Sequence, residues 1–433
     1  MQKIDLTEVL ARFALAPVTG PDALQMMRLS LLDWAACGIA GADEPVARIV
    51  RDMVLAEAGA GVACVIGSSL RAPARAAALV NGAASHALDY DDTHFGHIGH
   101  PSVAVIPAAL AAAQQVGASG DEFLRACLVG VEVSIRIGIW LGRAHYQIGF
   151  HQTATAGAFG AAAAAGRLLG LDAERMSHAL GLAATRAAGL KSQFGTMGKP
   201  YHAGMAAATG VEVALLAQAG FVSRPDGLTC DQGFGPTHAG EADISALDGL
   251  GREWLFSSVQ HKFHACCHGT HAALEALTRL RGDLDPSRVE TVEITVHPRW
   301  LSVCNIEKPE TGLEAKFSYR LTAAMALLGH DTGALSTFSE AICHDPAMVA
   351  LRDRVTVHAD DSLSETAARV VVLAGRTHRA TFDLNEPISL ANRQARLLAK
   401  TDALLGSKGA MMLRNAVLGP TVDMSALADC LAG

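Results

Sequence analysis

Charge is scarce in this chain of 433 residues: Asp, Glu, Lys and Arg together make up 18%, and aromatics only 5%. So few aromatics leave little with which to fill a β-sandwich core, whereas abundant alanine favours closely packed helices. Basic residues are outnumbered, giving a formal net charge of −8. With no dense basic run, nucleic acid is excluded as the expected partner. No uninterrupted apolar run reaches about 18 residues, so no membrane-spanning helix is expected. The nine cysteines are scattered, and no CxxC occurs. They read as buried free thiols rather than an iron–sulfur or zinc site. No Gly-rich phosphate loop, GxSxG elbow, HExxH or dinucleotide fingerprint stands out, which argues against nucleotide, flavin and serine-hydrolase chemistry. The opening MQKIDLTEVLARFAL reads as an amphipathic helix without a signal-peptide core, so a cytoplasmic protein is the default expectation.

What the chain does have is apolar sequence at helical spacing. Half of its residues are hydrophobic. Residues 5–60 read as two or three helices. Further helices are expected at 74–90, 103–116, 122–141, 153–169, 173–188 and 201–220. The texture changes near residue 255. Period-two alternation marks strands at 289–296, 354–358, 368–373 and 379–382, around a helix at 316–328. Helical spacing returns at 392–405. The expected fold is therefore mainly α. A large all-α helical domain (1–257 plus 393–433) accompanies a smaller α/β lid domain (258–392).

The densest chemistry lies in residues 81–102, NGAASHALDYDDTHFGHIGHPS. Four histidines and three carboxylates there make either a solvated turn or a site. If 83–93 is helical, His86, Asp89 and Thr93 share one face. Gly96, Gly99 and Pro101 break the helix, so a loop presents His97 and His100. A carboxylate beside an imidazole sets its tautomer and suits acid–base work.

A second cluster is GTMGKPYHAG. Pro200 is placed like the first residue of a helix, which puts Lys199 at its N-terminus, where anions are favoured, with His202 close behind. A surface lysine at a helix start is the plain alternative. The third cluster, HKFHACCHGTH (261–271), suggests anion binding, proton transfer or, from the spacing of His264 and His268, a metal. His151 precedes a helix as a cap or a site residue. Phe317-Ser318-Tyr319-Arg320 opens a helix in the second domain, its polar groups either aimed at a cleft or, for Tyr319 and Arg320, exposed.

In these pieces the chain resembles the MmgE/PrpD family, which includes 2-methylcitrate dehydratase, cis-aconitate decarboxylase and iminodisuccinate epimerase. The matching stretches are NGAASHALDYDDTH with HPS, GFHQTATAGAFGAA, GTMGKPYHAGMAAATG, KFHACCHGTHAALEAL and EAKFSYRLTAAMALLG. They occur in the family's order and cover most of the chain. The resemblance implies a site between two domains, a homodimer, and neither cofactor nor metal. By position it carries site roles to Asp89, Thr93, His100, His151, Lys199 and Lys262. Two departures stand out. The spacing from Thr93 to the HPS histidine is one residue longer than the decarboxylase pattern, so His97 competes with His100. The family's FSxPY is FSYRL here, which puts Leu321 at the tyrosine position. The stretch Ala144–His151 is similar to the epimerase and adds Tyr146.

Together these point to a cofactor-independent lyase acting on a small di- or tricarboxylate, dehydratase-like or decarboxylase-like. His100, oriented by Asp89, would carry the proton, with His151 opposite. Lys199, Lys262 and His202 would neutralise carboxylates, and Thr93, Tyr146 and Ser318 would add substrate contacts. The alternatives are an epimerase or isomerase of a substituted succinate, and a non-catalytic polycarboxylate-binding protein.

Overall fold

Alanine and glycine dominate the helices, and small side chains let helix backbones approach closely. A computed structural model describes residues 5–57 and 59–433. The chain forms two compact units, 1–261 with 405–433, and 262–404. The sequence reading placed its divisions at 257/258 and 392/393.

The first unit contains helices α1 (Leu6–Leu15), α2 (Pro21–Ala40) and α3 (Pro45–Glu57), then a small hairpin of β1 (Ala63–Val65) and β2 (Ser68–Ala72). This hairpin corrects the expectation of a strictly all-α domain. There follow α4 (Ala74–Ser85), α5 (Ser102–Val116), α6 (Gly120–Ile148), α7 (Gln152–Leu168), α8 (Ala173–Ala183) and α9 (Gly198–Gln218). Helices α4, α6, α7 and α9 make its heart, α7 packing on both α6 and α9, and α9 also on α4. Almost every residue of α5 and α7 is buried, so neither helix shows an amphipathic stripe. Helices α4 and α9 cross at Gly82 and Gly204. A Cβ on Gly82 would lie 2.7 Å from the Gly204 Cα, and one on Gly204 would collide with the Leu79 carbonyl.

Two devices fix the loops around that heart. Ser119 and Glu122 form a capping box at the start of α6. Further along α6, buried Glu132 and Arg136 pair at 2.8 Å. Glu132 accepts the Leu255 and Phe256 amides, and Arg136 donates to the carbonyls of Ala246, Asp248 and Glu253. That anchors the segment leading to Gln260, which pairs with Thr93 in both directions at 2.8 Å.

The second unit holds a four-stranded sheet ordered β4-β3-β5-β6: β3 (Thr291–Val296), β4 (Val355–Ala359), β5 (Ala367–Ala374) and β6 (Arg376–Asp383). Strand β3 runs parallel to β4 and antiparallel to β5. Val292, Ile294 and Val296 are buried at every second position. Helices His271–Arg281 and Tyr319–Leu328 pack on this sheet and on each other. The last long helix, Leu390–Leu418, breaks at Gly406, where φ is +68°. Among the described residues, no helix is long and apolar enough to cross a membrane.

Candidate active site

The helix expected to run to residue 90 ends at Ser85. Aspartate is a poor helix former, and the Asp-Tyr-Asp-Asp run instead forms a loop in which Asp89 takes a left-handed φ of +49°. His86, Asp89 and Thr93 therefore do not share a helical face, which corrects that expectation.

The loop builds a row of alternating charge types. His86 Nδ1 lies 2.9 Å from Asp91 Oδ1, both side chains being almost wholly buried. The other Asp91 oxygen, Oδ2, is 2.9 Å from His100 Nδ1. His100 Nε2 is 3.3 Å from Asp89 Oδ1, and Asp89 Oδ2 is 2.8 Å from Lys199 Nζ. Asp91 thus lies within ion-pair distance of both imidazoles, though its Oδ2 and His100 Nδ1 are not aligned for a hydrogen bond. Asp89 meets the opposite edge of that ring. Burial raises the Asp91 carboxyl, but the imidazoles of His100 and His86 outweigh it and hold the group well below the usual carboxylate range. The His100 backbone N–H donates to Thr153 Oγ1 at 3.0 Å, which ties the loop to the first turn of α7.

Beside this row stand His151, at the N-cap of α7, and His202, in α9. Their Nδ1 atoms are 3.1 Å apart, so one ring donates and the other accepts. Burial lowers both imidazoles, aided by the charge of Lys199, so His151 is held neutral well below its ordinary range. The ring of His86 stacks on His151 at 6.2 Å, and Phe194 meets His151 edge-on at 4.9 Å. Lys199 lies inside the first turn of α9, which starts at Gly198, two residues before Pro200. Lys199, His202, His151, His100 and Asp89 are brought together within the first unit.

His97 and His100 stand in different surroundings. His97 is buried with Nε2 3.0 Å from Ser134 Oγ on α6, and its backbone N–H donates to His94 Nδ1. His94 in turn contacts Ser258 Oγ at 2.8 Å and the Leu255 carbonyl. Burial pushes His97 down to about 3 and His94 to about 4. Burial thus holds both rings in the neutral form. Asp92 faces away from the row and accepts from Ser102 Oγ at 2.5 Å. Burial pushes its carboxyl up to about 7.

Other expected contacts have local uses. Thr93 is half-buried and its backbone pairs with Gln260. The Tyr146 ring lies 3.8 Å from the Lys191 ammonium, a lysine the sequence reading did not single out. Lys262 and Ser318 lie in the second unit. Lys262 is buried. Ser318 Oγ caps the helix Tyr319–Leu328 by accepting the Leu321 N–H at 3.2 Å, so its hydroxyl is taken up by the fold. Leu321 is wholly buried, and Tyr319 donates its hydroxyl to the Gly269 carbonyl at 2.7 Å. His264 does not form a metal pair with His268. It contacts Thr332 and Glu275, while His268 packs on His271.

Ligand atoms of His86, Asp89, Asp91 and His100 all lie within 4.8 Å of one another, a spacing a divalent cation can use. The Lys199 ammonium already brings positive charge to Asp89, the most exposed of the four.

Residues 5–247 match the MmgE/PrpD N-terminal domain, and residues 264–407 match the MmgE/PrpD C-terminal domain. The chain belongs to the MmgE/PrpD family. It is 34% identical over 280 residues to the cis-aconitate decarboxylase-like protein oryM of Aspergillus oryzae, covering 60% of this chain and 58% of that one. With the cis-aconitate decarboxylase of Aspergillus terreus it shares 30% identity over 347 residues, 74% of this chain and 70% of that one. With the human cis-aconitate decarboxylase it shares 31% over 271 residues, 60% and 56% of the two chains. The match thus spans less than two thirds of the length of two of these relatives.

Within the family frame, Asp91 is a carboxylate of the cluster to which the sequence assigned no role, and His86, grouped there with Asp89 and Thr93, pairs with it instead. The available signal was the low helix propensity of DYDD. A loop reading frees Asp91 from the opposite helical face and lets it reach both imidazoles.

Proposed function

We propose that this protein is a cofactor-independent lyase that transfers a proton next to a carboxylate of a small di- or tricarboxylate. One observation carries the reading. His100 Nδ1 lies 2.9 Å from buried Asp91, and its Nε2 edge lies beside the Lys199–Asp89 pair. A proton carrier is therefore fixed next to an anion anchor, the pairing this chemistry needs. The relatives named cis-aconitate decarboxylase support decarboxylation ahead of dehydration.

In decarboxylation, the bond to the departing carboxylate breaks and its electron pair passes to the neighbouring carbon. Carbon dioxide leaves, and His100 Nε2 gives that carbon a proton. Lys199 offsets the negative charge held in the adjoining carboxylate. In dehydration, neutral His151 would remove the carbon-bound proton while His100 protonates the departing hydroxyl. Thr93, Tyr146, His202 and Lys262 are proposed as further substrate contacts on the strength of the resemblance. The Ala144–His151 stretch favours a second reading, epimerisation of a substituted succinate, with His100 and His151 as the two proton carriers.

Incubation with cis-aconitate, citrate and 2-methylcitrate in deuterated water, followed by NMR, tests these readings. A new alkene supports the lyase. Deuterium incorporation with configuration scrambled and no new alkene supports the epimerase. Binding without exchange indicates a non-catalytic polycarboxylate-binding protein. Full turnover by both His100→Ala and Lys199→Ala overturns the site assignment. Activity lost to a chelator and restored by one divalent ion overturns the cofactor-free part.

A further inference from the structure

One carboxylate of this chain already does what a ligand carboxylate would do. Asp89 reaches Lys199 with one oxygen, at 2.8 Å, and the Nε2 edge of His100 with the other, at 3.3 Å. The other edge of His100 is taken by Asp91. An anion that bridges Lys199 and His100 Nε2 would therefore meet Asp89 where it now stands. The Asp89 side chain is 39% exposed, against 10% for His100 and 17% for Lys199, so of the three it is the one open to water. It hangs from a backbone position with φ of +49°, in the long loop between α4 and α5. That left-handed conformation is costly for a residue with a side chain.

We propose that Asp89 is an internal stand-in for the substrate's carboxylate. It fills the anion subsite between Lys199 and His100 in the free protein, and a ligand carboxylate displaces it. This deepens the functional reading above and rests on it. Exchange of one carboxylate for another keeps the charge of the row unchanged and lets Asp89 turn outward into water. Entry without displacement would crowd two carboxylates onto one ammonium. A tethered competitor at high effective concentration lowers apparent affinity. Its removal should therefore tighten binding of any small carboxylate, the opposite of what loss of an ordinary binding residue does.

Succinate is the probe, with binding measured by calorimetry on the full chain. Asp89→Asn keeps the shape, and Asp89→Gly removes the carboxylate and accommodates the left-handed backbone. Both should bind succinate about tenfold or more tightly than the unsubstituted protein, and Lys199→Met should bind it about tenfold or more weakly. Unchanged or weaker binding by both Asp89 variants, with loss of binding in Lys199→Met, overturns the stand-in and leaves the functional reading standing. Unchanged binding in Lys199→Met overturns the reading itself. Absence of binding by all four proteins overturns the proposal. A crystal structure of the unsubstituted protein soaked in succinate gives a check independent of variant folding. Asp89 should have left Lys199, and a bound succinate with that contact intact overturns the proposal.

Discussion

Replacing Asp91 with asparagine tests the centre of the site with little change of shape. Asp91 offers one oxygen to His86 and one to His100, each at 2.9 Å. Asparagine has a single oxygen, so one of the two imidazoles must face an NH₂ group, and the negative charge between them is lost. If the NH₂ faces His100, the ring is driven to the tautomer with its proton on Nε2 and no base there. If it faces His86, His100 still loses the anion that stabilises its protonated form. Either way the proton transfer is impaired, as when the orienting aspartate of a catalytic triad is removed. The expected loss is about 10²–10⁴-fold in kcat, or about 3–5 kcal/mol of barrier. Succinate affinity should stay within about threefold of the starting value, because the ammonium of the anion subsite belongs to Lys199, which pairs with Asp89 and not with Asp91. Stability should fall by about 1–3 kcal/mol from the weakened buried contacts. Turnover followed by NMR, calorimetry with succinate and a denaturant melt read the three quantities on one preparation. A cooperatively folded Asp91→Asn with kcat within threefold of the unsubstituted protein refutes the assignment of His100 as a proton carrier braced by Asp91.

Three further outcomes follow from the surrounding residues. Burial raises Asp92 to about 7 from an ordinary 3.8, so the folded state holds that proton more tightly than the unfolded chain. The resulting stabilisation is complete below the ordinary value and is lost as pH rises through about 7. Asp92→Asn should therefore gain stability relative to the unsubstituted protein between about pH 4 and 8, by up to ~4 kcal/mol, and a difference independent of pH in denaturant melts counts against it. His97→Ala should cost about 2–4 kcal/mol of stability and leave kcat nearly unchanged, whereas His100→Ala should do the reverse; equal loss of kcat in both, measured on folded protein, removes the distinction drawn between them. Ser318→Ala should lose about 1 kcal/mol as a helix cap with KM within twofold, and a tenfold rise in KM would return Ser318 to the substrate.

Periodicity made the helices of the first unit and the four strands of the second legible, because both repeat over many residues. It failed where the repeat stops. Alanine-rich sequence runs smoothly into His86 to Tyr90, and nothing in its spacing marks the turn after Ser85. The site depends on that turn: it places Asp91 between two imidazoles and swings Asp89 round to Lys199. The choice between His97 and His100 was closed to spacing as well, since it depends on Ser134, a residue of α6 far along the chain. Lys199 and His202 were readable because a helix start confines both to one turn. The short hairpin β1–β2 went unseen, its strands being three and five residues long.

The crossing of α4 and α9 at Gly82 and Gly204 has a consequence for how this chain can change. Helix α4 delivers the loop with Asp89 and Asp91, and α9 delivers Lys199 and His202. The gap between the two helices is therefore the ruler that sets the distance between proton carrier and anion anchor. A single methyl at either glycine would widen that gap and stretch the 2.8 Å contact between Lys199 and Asp89 without touching any residue of the site. The spacing of these groups can thus be retuned from about one to two turns inside a helix interface, and substitutions there act on the geometry of the row as well as on stability.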